Sequence, residues 1–154
     1  MNFNDEAKRA FSLQEYSPAP GIDGVQLVEL KRFHDDGGSL TELGRLQGGV
    51  HAALPGFEVK QVNYSELEPG AIKAFHLHRR QTDVWFVPPA DKMLLVLLDV
   101  RAESRSRTIH RRLVLGDGTS RLVRIPPGVA HGVKNLAPRR EEPGPDPGPH
   151  HLLR

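Results

Sequence analysis

The sequence contains no cysteine among its 154 residues. This absence excludes a disulfide scaffold, a Cys-ligated zinc site, an iron–sulfur cluster and a cysteine nucleophile. Aromatic residues are also scarce, at 6% of the chain, and Trp85 and Phe86 are the only two between residues 76 and 154. Platforms on which nucleic-acid bases could stack are therefore missing from the second half of the chain.

Neither sign of charge dominates, and no long apolar run is present. The 21 basic residues are scattered among 19 acidic ones, which gives a net charge of +2 and no basic stripe for a nucleic-acid partner. No apolar run approaches the roughly 20 residues of a membrane span. The N-terminus carries Asp5 and Glu6 and lacks the apolar region of a secretory signal. We therefore expect a cytoplasmic protein without membrane or nucleic-acid contacts.

Short β-strands are predicted throughout the middle of the chain. Apolar and β-branched runs alternate with breaks of proline and glycine, and no helical period appears between residues 25 and 136. The pattern indicates an all-β sandwich or jelly roll. Gly48 and Gly49 favour a loop over residues 45–55. The predicted strands are 25–33, 57–67, 70–78, 82–87, 92–101, 106–115, 120–125 and 129–136.

A leader and a tail flank this predicted domain of residues 21–136. Residues 1–20 form the leader, in which Pro18 and Pro20 end any regular secondary structure. Residues 137–154 contain five of the 13 prolines and two glycines, so they favour an extended or disordered tail. The tail's His150 and His151 are interpreted as inert.

Two histidine-containing segments carry the candidate chemistry. His76 and His78 are two residues apart, so in a strand their side chains project from the same face. Asp83 follows His78 by five residues, and the second segment contains His131 and Asn135. Histidine is suited to proton transfer near neutral pH and to metal binding.

The spacing of these segments matches the cupin pattern. The first reads Gly-x5-His-x-His-x4-Asp from Gly70, and the second reads Pro-x-Gly-x2-His-x3-Asn from Pro126. Asp83 stands where the cupin pattern usually has glutamate. This resemblance implies an all-β, cupin-type β-jelly roll, also called a double-stranded β-helix.

Residues 21–136 further resemble one branch of the cupins, the dTDP-4-dehydrorhamnose 3,5-epimerase family. Five segments match family segments in the same order, and HLHRRQTD (76–83) is similar to a subgroup. The five are DGGSLTE (36–42), QVNYS (61–65), KAFH (73–76), DVR (99–101) with Ser104, and IPPGVAHG (125–132).

The resemblance implies a homodimeric epimerase or isomerase that acts on a nucleotide-linked 4-keto-6-deoxy-sugar. A 4-keto group acidifies the neighbouring C–H bonds, and a base with a near-neutral pKa can remove such a proton. No metal and no organic cofactor is implied. The catalytic candidates are His76 as the base, His78 and Asp83. By resemblance, Glu42 contacts the nucleobase or ribose, Gln61 and Asn63 the nucleotide or sugar, and Lys73 the diphosphate, while His131 lines the pocket.

The chain departs from the family at several catalytic positions. The family's acid tyrosine lies in a strand that the Pro/Gly-rich tail replaces, and neither Tyr16 nor Tyr64 matches it. The aspartate that orients the family's histidine lies in the same missing region, so Asp83 is the predicted substitute. Lys73 replaces an arginine, and strict strand alternation points it away from His76 unless a bulge intervenes.

Two alternative functions stay open. The spacing alone also permits a metal-dependent cupin enzyme, in which four side chains would hold Fe, Mn, Ni or Zn. These four are His76, His78, Asp83 and His131. The missing tyrosine equally permits a module that binds a sugar nucleotide without catalysis.

Overall fold

The computed structural model describes residues 20–138, which form eleven β-strands and no α-helix. Within these residues, no helix is long and apolar enough to cross a membrane. The predicted leader and tail lie almost entirely outside the described residues. The strands are β1 (Gln26–Glu29), β2 (Arg32–Asp35), β3 (Gly38–Thr41), β4 (Leu46–Gln47), β5 (Val50–His51), β6 (Ile72–His76), β7 (Asp83–Phe86), β8 (Lys92–Asp99), β9 (His110–Gly116), β10 (Arg121–Ile125) and β11 (Val129–Asn135).

Two larger antiparallel sheets enclose the core. One has the strand order β1-β10-β7, and the other has the order β6-β11-β8-β9. Strands β2 and β3 form a separate hairpin, as do β4 and β5. The sheets do not close into a continuous barrel, but the prediction of an all-β, cupin-type fold is confirmed.

The core forms where the inner faces of these two sheets meet. Leu95 and Leu97 of β8 are both 0% exposed. They are two residues apart, so their side chains project from the same face of the strand. Val123 and Ile125 of β10 meet them from the opposite sheet. Full burial of one such side chain contributes roughly 1.5–3 kcal/mol. Burial of these rows therefore holds the two sheets together.

The segment Asp99-Val100-Arg101, one of the family-like motifs, has a structural role. Arg101 donates hydrogen bonds to both carboxylate oxygens of Asp99 at 2.8 Å, and Ser104 and Ser106 donate to Oδ2 at 2.6 Å each. The pKa of this buried carboxyl lies well below its usual range, and the hydrogen-bonded Arg101 guanidinium is the main cause. Arg101 also donates to the carbonyl of Asp23 at 2.6 Å, which ties the first residues of the domain to the end of β8.

Two predicted strands and one predicted loop need correction. The predicted strand 25–33 is divided into β1 and β2. Residues 57–67 form no named strand, because a strand requires a hydrogen-bonded neighbour and this run makes only the isolated bridge between Glu58 and Val50. The loop predicted for residues 45–55 contains the hairpin of β4 and β5. Its two-residue turn is Gly48–Gly49, whose φ values of 56° and 83° suit glycine.

Candidate active site

Strands β6 and β11 place two histidines opposite each other. His76 is the register partner of His131, and the centroids of their rings lie 6.0 Å apart at an interplanar angle of 28°. His131 is 2% exposed because β11 lies inside the four-stranded sheet, whereas His76 is exposed on the edge strand β6. A solvent-reachable imidazole thus stands beside a buried one.

An irregularity in β6 changes the direction of Lys73. The register pairs His131 with His76 but Val133 with Lys73, so β6 has one extra residue between these partners. This bulge places Lys73 on the same face as His76, whereas strict alternation predicts opposite faces. The Lys73 ammonium donates to Ser65 Oγ at 3.1 Å and stays exposed.

Gly132 accommodates the bulge. A Cβ atom at Gly132 would lie 2.5 Å from the Cβ of Ala74, 3.2 Å from its Cα and 3.3 Å from the carbonyl oxygen of Lys73. Only glycine permits such a close approach between β11 and the bulged part of β6. Gly132 therefore serves the close packing of β11 against β6.

Asp83 joins two of the histidines. It begins β7 in the three-stranded sheet, and its Oδ2 lies 3.3 Å from Nε2 of His78 and 3.4 Å from Nε2 of His131. Gln81 donates from Nε2 to the other carboxylate oxygen at 2.6 Å. The site is therefore built from both sheets, and the His78–Asp83–His131 cluster lies at their meeting point.

The surroundings of His131 determine its charge and tautomer. Its burial lowers the pKa of the imidazole, although the nearby Asp83 carboxylate partly opposes the shift. Nδ1 of His131 lies 3.2 Å from the carbonyl oxygen of Val129, which can only accept a hydrogen bond, so Nδ1 carries the proton. Trp85 packs edge-on against the ring with centroids 5.4 Å apart. Burial thus favours the neutral form of His131, and Trp85 helps to shield its ring from water.

Three predicted substrate-binding residues are exposed and pair with their own neighbours rather than with the histidine cluster. Glu42 forms an exposed ion pair with Arg45 at 2.8 Å. Gln61 donates to Asn63 at 2.8 Å, and both side chains are exposed. None of these hydrogen bonds reaches the histidine cluster. The structure thus brings together His76, His78, Asp83 and His131, and the bulge adds Lys73 to their face of β6.

Sequence reasoning missed the roles of two neighbours of the cluster. Gln81 orients the Asp83 carboxylate. In the sequence, this contact is indicated only by the position of Gln81 two residues before Asp83. Trp85 packs against the core, and it also covers the ring of His131.

The fold and the site together define a cupin-type protein with a cluster of histidines and one carboxylate between its two sheets. Residues 20–141 match the sequence model of the dTDP-4-dehydrorhamnose 3,5-epimerase family. The chain belongs to this family.

Relatives and solved structures agree with this assignment. The chain is 37% identical to the spore coat polysaccharide biosynthesis protein SpsL of Bacillus subtilis, over 75% of this chain and 72% of that protein. It is 26% identical to the probable low-salt glycan biosynthesis epimerase Agl13 of Haloferax volcanii, over 76% of this chain and 72% of that protein. A crystal structure of a dTDP sugar isomerase from Desulfovibrio desulfuricans superposes with a TM-score of 0.64 and 30% identity, covering 74% of this chain and 69% of that one. The expectation of a sugar-nucleotide epimerase is confirmed.

Proposed function

We propose that the protein removes a proton beside the ketone of a thymidine-diphosphate 4-keto-6-deoxy-sugar, with His76 as the general base. The observation that carries this proposal is the pairing of an exposed His76 with the buried His131 across β6 and β11. The proposal includes a cytoplasmic location.

The proposed step needs only a base and a ketone. His76 takes the proton from the carbon next to the ketone, and the electron pair of the broken C–H bond moves toward the ketone oxygen to form an enolate. Return of a proton to the same face restores the substrate, whereas return to the opposite face inverts the carbon. Exchange and inversion are therefore separate observables of one reaction.

His78 and Asp83 are proposed to supply the second proton in place of the absent tyrosine. The ring of His78 lies 5.6 Å from the ring of His131, and its Nε2 is 3.3 Å from Asp83 Oδ2. Gln81 fixes the other carboxylate oxygen, so Asp83 holds the His78 ring in one orientation. This arrangement gives the site a second imidazole, oriented separately from His76.

Lys73 is proposed to bind the diphosphate. The bulge in β6 places it on the face that carries His76, and its ammonium group remains exposed to a ligand. A lysine supplies a point charge rather than the bidentate fork of an arginine, so it binds a phosphate without fixing one orientation. Glu42, Gln61 and Asn63 are proposed to contact the nucleotide or sugar, and His131 to line the pocket.

The first experiment is proton NMR of thymidine-diphosphate 4-keto-6-deoxyglucose with the protein in deuterium oxide. Loss of the C3 or C5 proton signal is expected, and the carbon that loses its proton is the one enolised. Binding of thymidine diphosphate without loss of either signal would overturn the proposal and support a silent binding module. The assay is then repeated on chelator-treated protein to test the metal-dependent alternative. If that alternative is correct, the activity should disappear after chelation.

Replacing His78 with glutamine is expected to separate inversion from exchange. If His78 returns the proton to the opposite face, inversion should slow by about 10²-fold or more, the contribution typical of a general acid. Proton exchange by His76 should continue. The measurement follows the deuterium content and the configuration of the same carbon over time.

The matched control for this experiment is His110→Gln, which changes an exposed histidine on β9. It should leave both rates unchanged. Equal loss of exchange and inversion in His78→Gln would show that His78 does not act as a separate acid.

We further propose that the protein is a homodimer. Strand β6 lies at the edge of its sheet, and its Ile72 and Phe75 are 64% and 63% exposed. The adjacent segment exposes Val62 and Tyr64 at 85% and 84%. Apolar side chains exposed beside an unpaired strand edge favour coverage by a second chain.

Light scattering after size exclusion is expected to give twice the chain mass of 17.1 kDa. The double variant Val62→Lys with Tyr64→Lys should shift the mass to that of a single chain, because burying two ammonium groups in an apolar interface is unfavourable. Leu40→Lys, at a site 66% exposed on the β2–β3 hairpin, is the control that should stay dimeric. A single-chain mass for the unaltered protein would contradict the dimer.

A further inference from the structure

A buried histidine outside the cluster forms hydrogen bonds with both of its ring nitrogens. His51 ends β5, is 7% exposed and takes no part in the proposed proton transfer. The backbone N–H of Ala53 donates to Nδ1 at 3.2 Å, and Nε2 lies 3.0 Å from the carbonyl oxygen of Leu43. Because a backbone N–H can only donate and a carbonyl can only accept, Nε2 carries the proton. The ring therefore connects the turn after β5 with the segment before β4.

The backbone of Gly44 lies directly against this ring. A Cβ atom at Gly44 would lie 2.6 Å from Nε2 of His51 and 2.8 Å from its Cδ2, which is closer than Cβ atoms approach other atoms. Only glycine leaves room for the imidazole at this position. The ring is thus held by close packing as well as by its two hydrogen bonds.

The turn that carries His51 is fixed to the body of the domain. Leu54 is 0% exposed, and its N–H donates to the carbonyl of His51 at 3.1 Å. Arg124 of β10 donates to the carbonyl of Pro55 at 3.3 Å. Through these contacts, the position of His51 is set by the core and by the three-stranded sheet.

The link from His51 ends beside Glu42, which is proposed to contact the nucleotide or sugar. Glu42 and Leu43 follow β3 and lie outside the strands of the described chain. Two hydrogen bonds tie their segment to the chain around β5, one from His51 to the Leu43 carbonyl and one from the N–H of Ala52 to the Arg45 carbonyl at 2.9 Å. Arg45 in turn donates to the Glu42 carboxylate at 2.8 Å. These ties fix the place of the carboxylate although its side chain is exposed.

We propose that His51 is a positioning residue for the nucleoside part of the ligand. Its Nε2–H holds the Leu43 carbonyl, and this contact holds the neighbouring Glu42 carboxylate where the nucleoside binds. The inference rests on the proposed function, which supplies the ligand and the role of Glu42. Since His51 acts through Glu42 and not on the reacting carbon, its replacement should change affinity and leave the chemical step unchanged.

Two variants that each keep one half of the link provide the test. His51→Gln keeps an amide N–H near the position of Nε2, so it still donates to Leu43 but loses the acceptor for Ala53. His51→Asn keeps an oxygen that accepts from Ala53, but it is too short to reach Leu43. Isothermal titration should show thymidine diphosphate binding about 3–10-fold more weakly to His51→Asn, the effect of one ordinary hydrogen bond, and within about twofold of the unaltered protein to His51→Gln.

Three further measurements separate positioning from general damage to the fold. Inorganic diphosphate lacks the nucleoside, so both variants should bind it as the unaltered protein does. Chemical denaturation should show similar losses of stability, because each variant loses one buried hydrogen bond. In the deuterium-exchange assay, His51→Asn should raise KM and leave kcat unchanged. His110→Asn, at an exposed histidine on β9, is the matched control that should change none of these quantities.

The outcomes distinguish this inference from the proposed function. Equal affinity of the two variants for thymidine diphosphate, or weaker binding by His51→Gln, would overturn the inference alone. A parallel loss of affinity for inorganic diphosphate in His51→Asn would do the same, because it would show damage beyond the nucleoside site. Failure of the unaltered protein to bind thymidine diphosphate would overturn both.

Discussion

Replacing His76 with glutamine is expected to slow proton exchange at the reacting carbon by about 10²–10⁴-fold, the contribution of a general base. Glutamine keeps the polarity and much of the length of histidine but cannot accept the proton. His76 is exposed, so among the described residues its replacement removes the stacking on the His131 ring but little other packing. The loss should therefore appear in the rate rather than in stability, and it is measured by proton NMR in deuterium oxide.

Nucleotide binding separates a catalytic role of His76 from a binding role. His76→Gln should bind thymidine diphosphate within about twofold of the unaltered protein, because Lys73 and not His76 is assigned to the diphosphate. The matched control is His34→Gln, which changes an exposed histidine on β2 outside the cluster. Exchange at the full rate in His76→Gln would assign the base to another residue, and equal losses in both variants would point to a general effect on the fold.

The sequence predicted the cluster well because its members lie within two short motifs. His76 ends β6 and His78 follows two residues later, and the Pro-Pro-Gly turn before β11 starts the strand that places His131 opposite His76. Asp83 was predicted from its position alone to orient the base, His76. In the structure its carboxylate instead reaches the imidazoles of His78 and His131 from the other sheet.

Features that depend on neighbouring chain segments could not be predicted in this way. The direction of Lys73 depends on one extra residue in the β6–β11 register, which periodicity does not reveal. Residues 57–67 show the composition of a strand, but the described residues offer them no ladder partner. Tertiary pairing decides such cases, and β-propensity alone does not.

Replacing Gly132 with alanine is expected to impair activity through the bulge rather than through direct contact with substrate. The added Cβ would lie 2.5 Å from the Cβ of Ala74 and 3.2 Å from its Cα, so part of β6 must move. Overpacking of this kind destabilises a protein by about 1–3 kcal/mol. Because His76 follows the bulge directly, a shift of about 1 Å there should also slow exchange by about 10²-fold.

Chemical denaturation measures the stability of Gly132→Ala, and deuterium exchange measures its rate. Gly21→Ala is the matched control, because a Cβ at Gly21 meets nothing within 4 Å and its backbone is not in the left-handed region. Adding Ala74→Gly to Gly132→Ala removes the shortest contact and should restore part of both losses. Failure of this double variant to recover, with Gly21→Ala unaffected, would show that the glycine acts through something other than its approach to Ala74. Recovery of the rate together with stability would tie the position of the base to the geometry of the bulge.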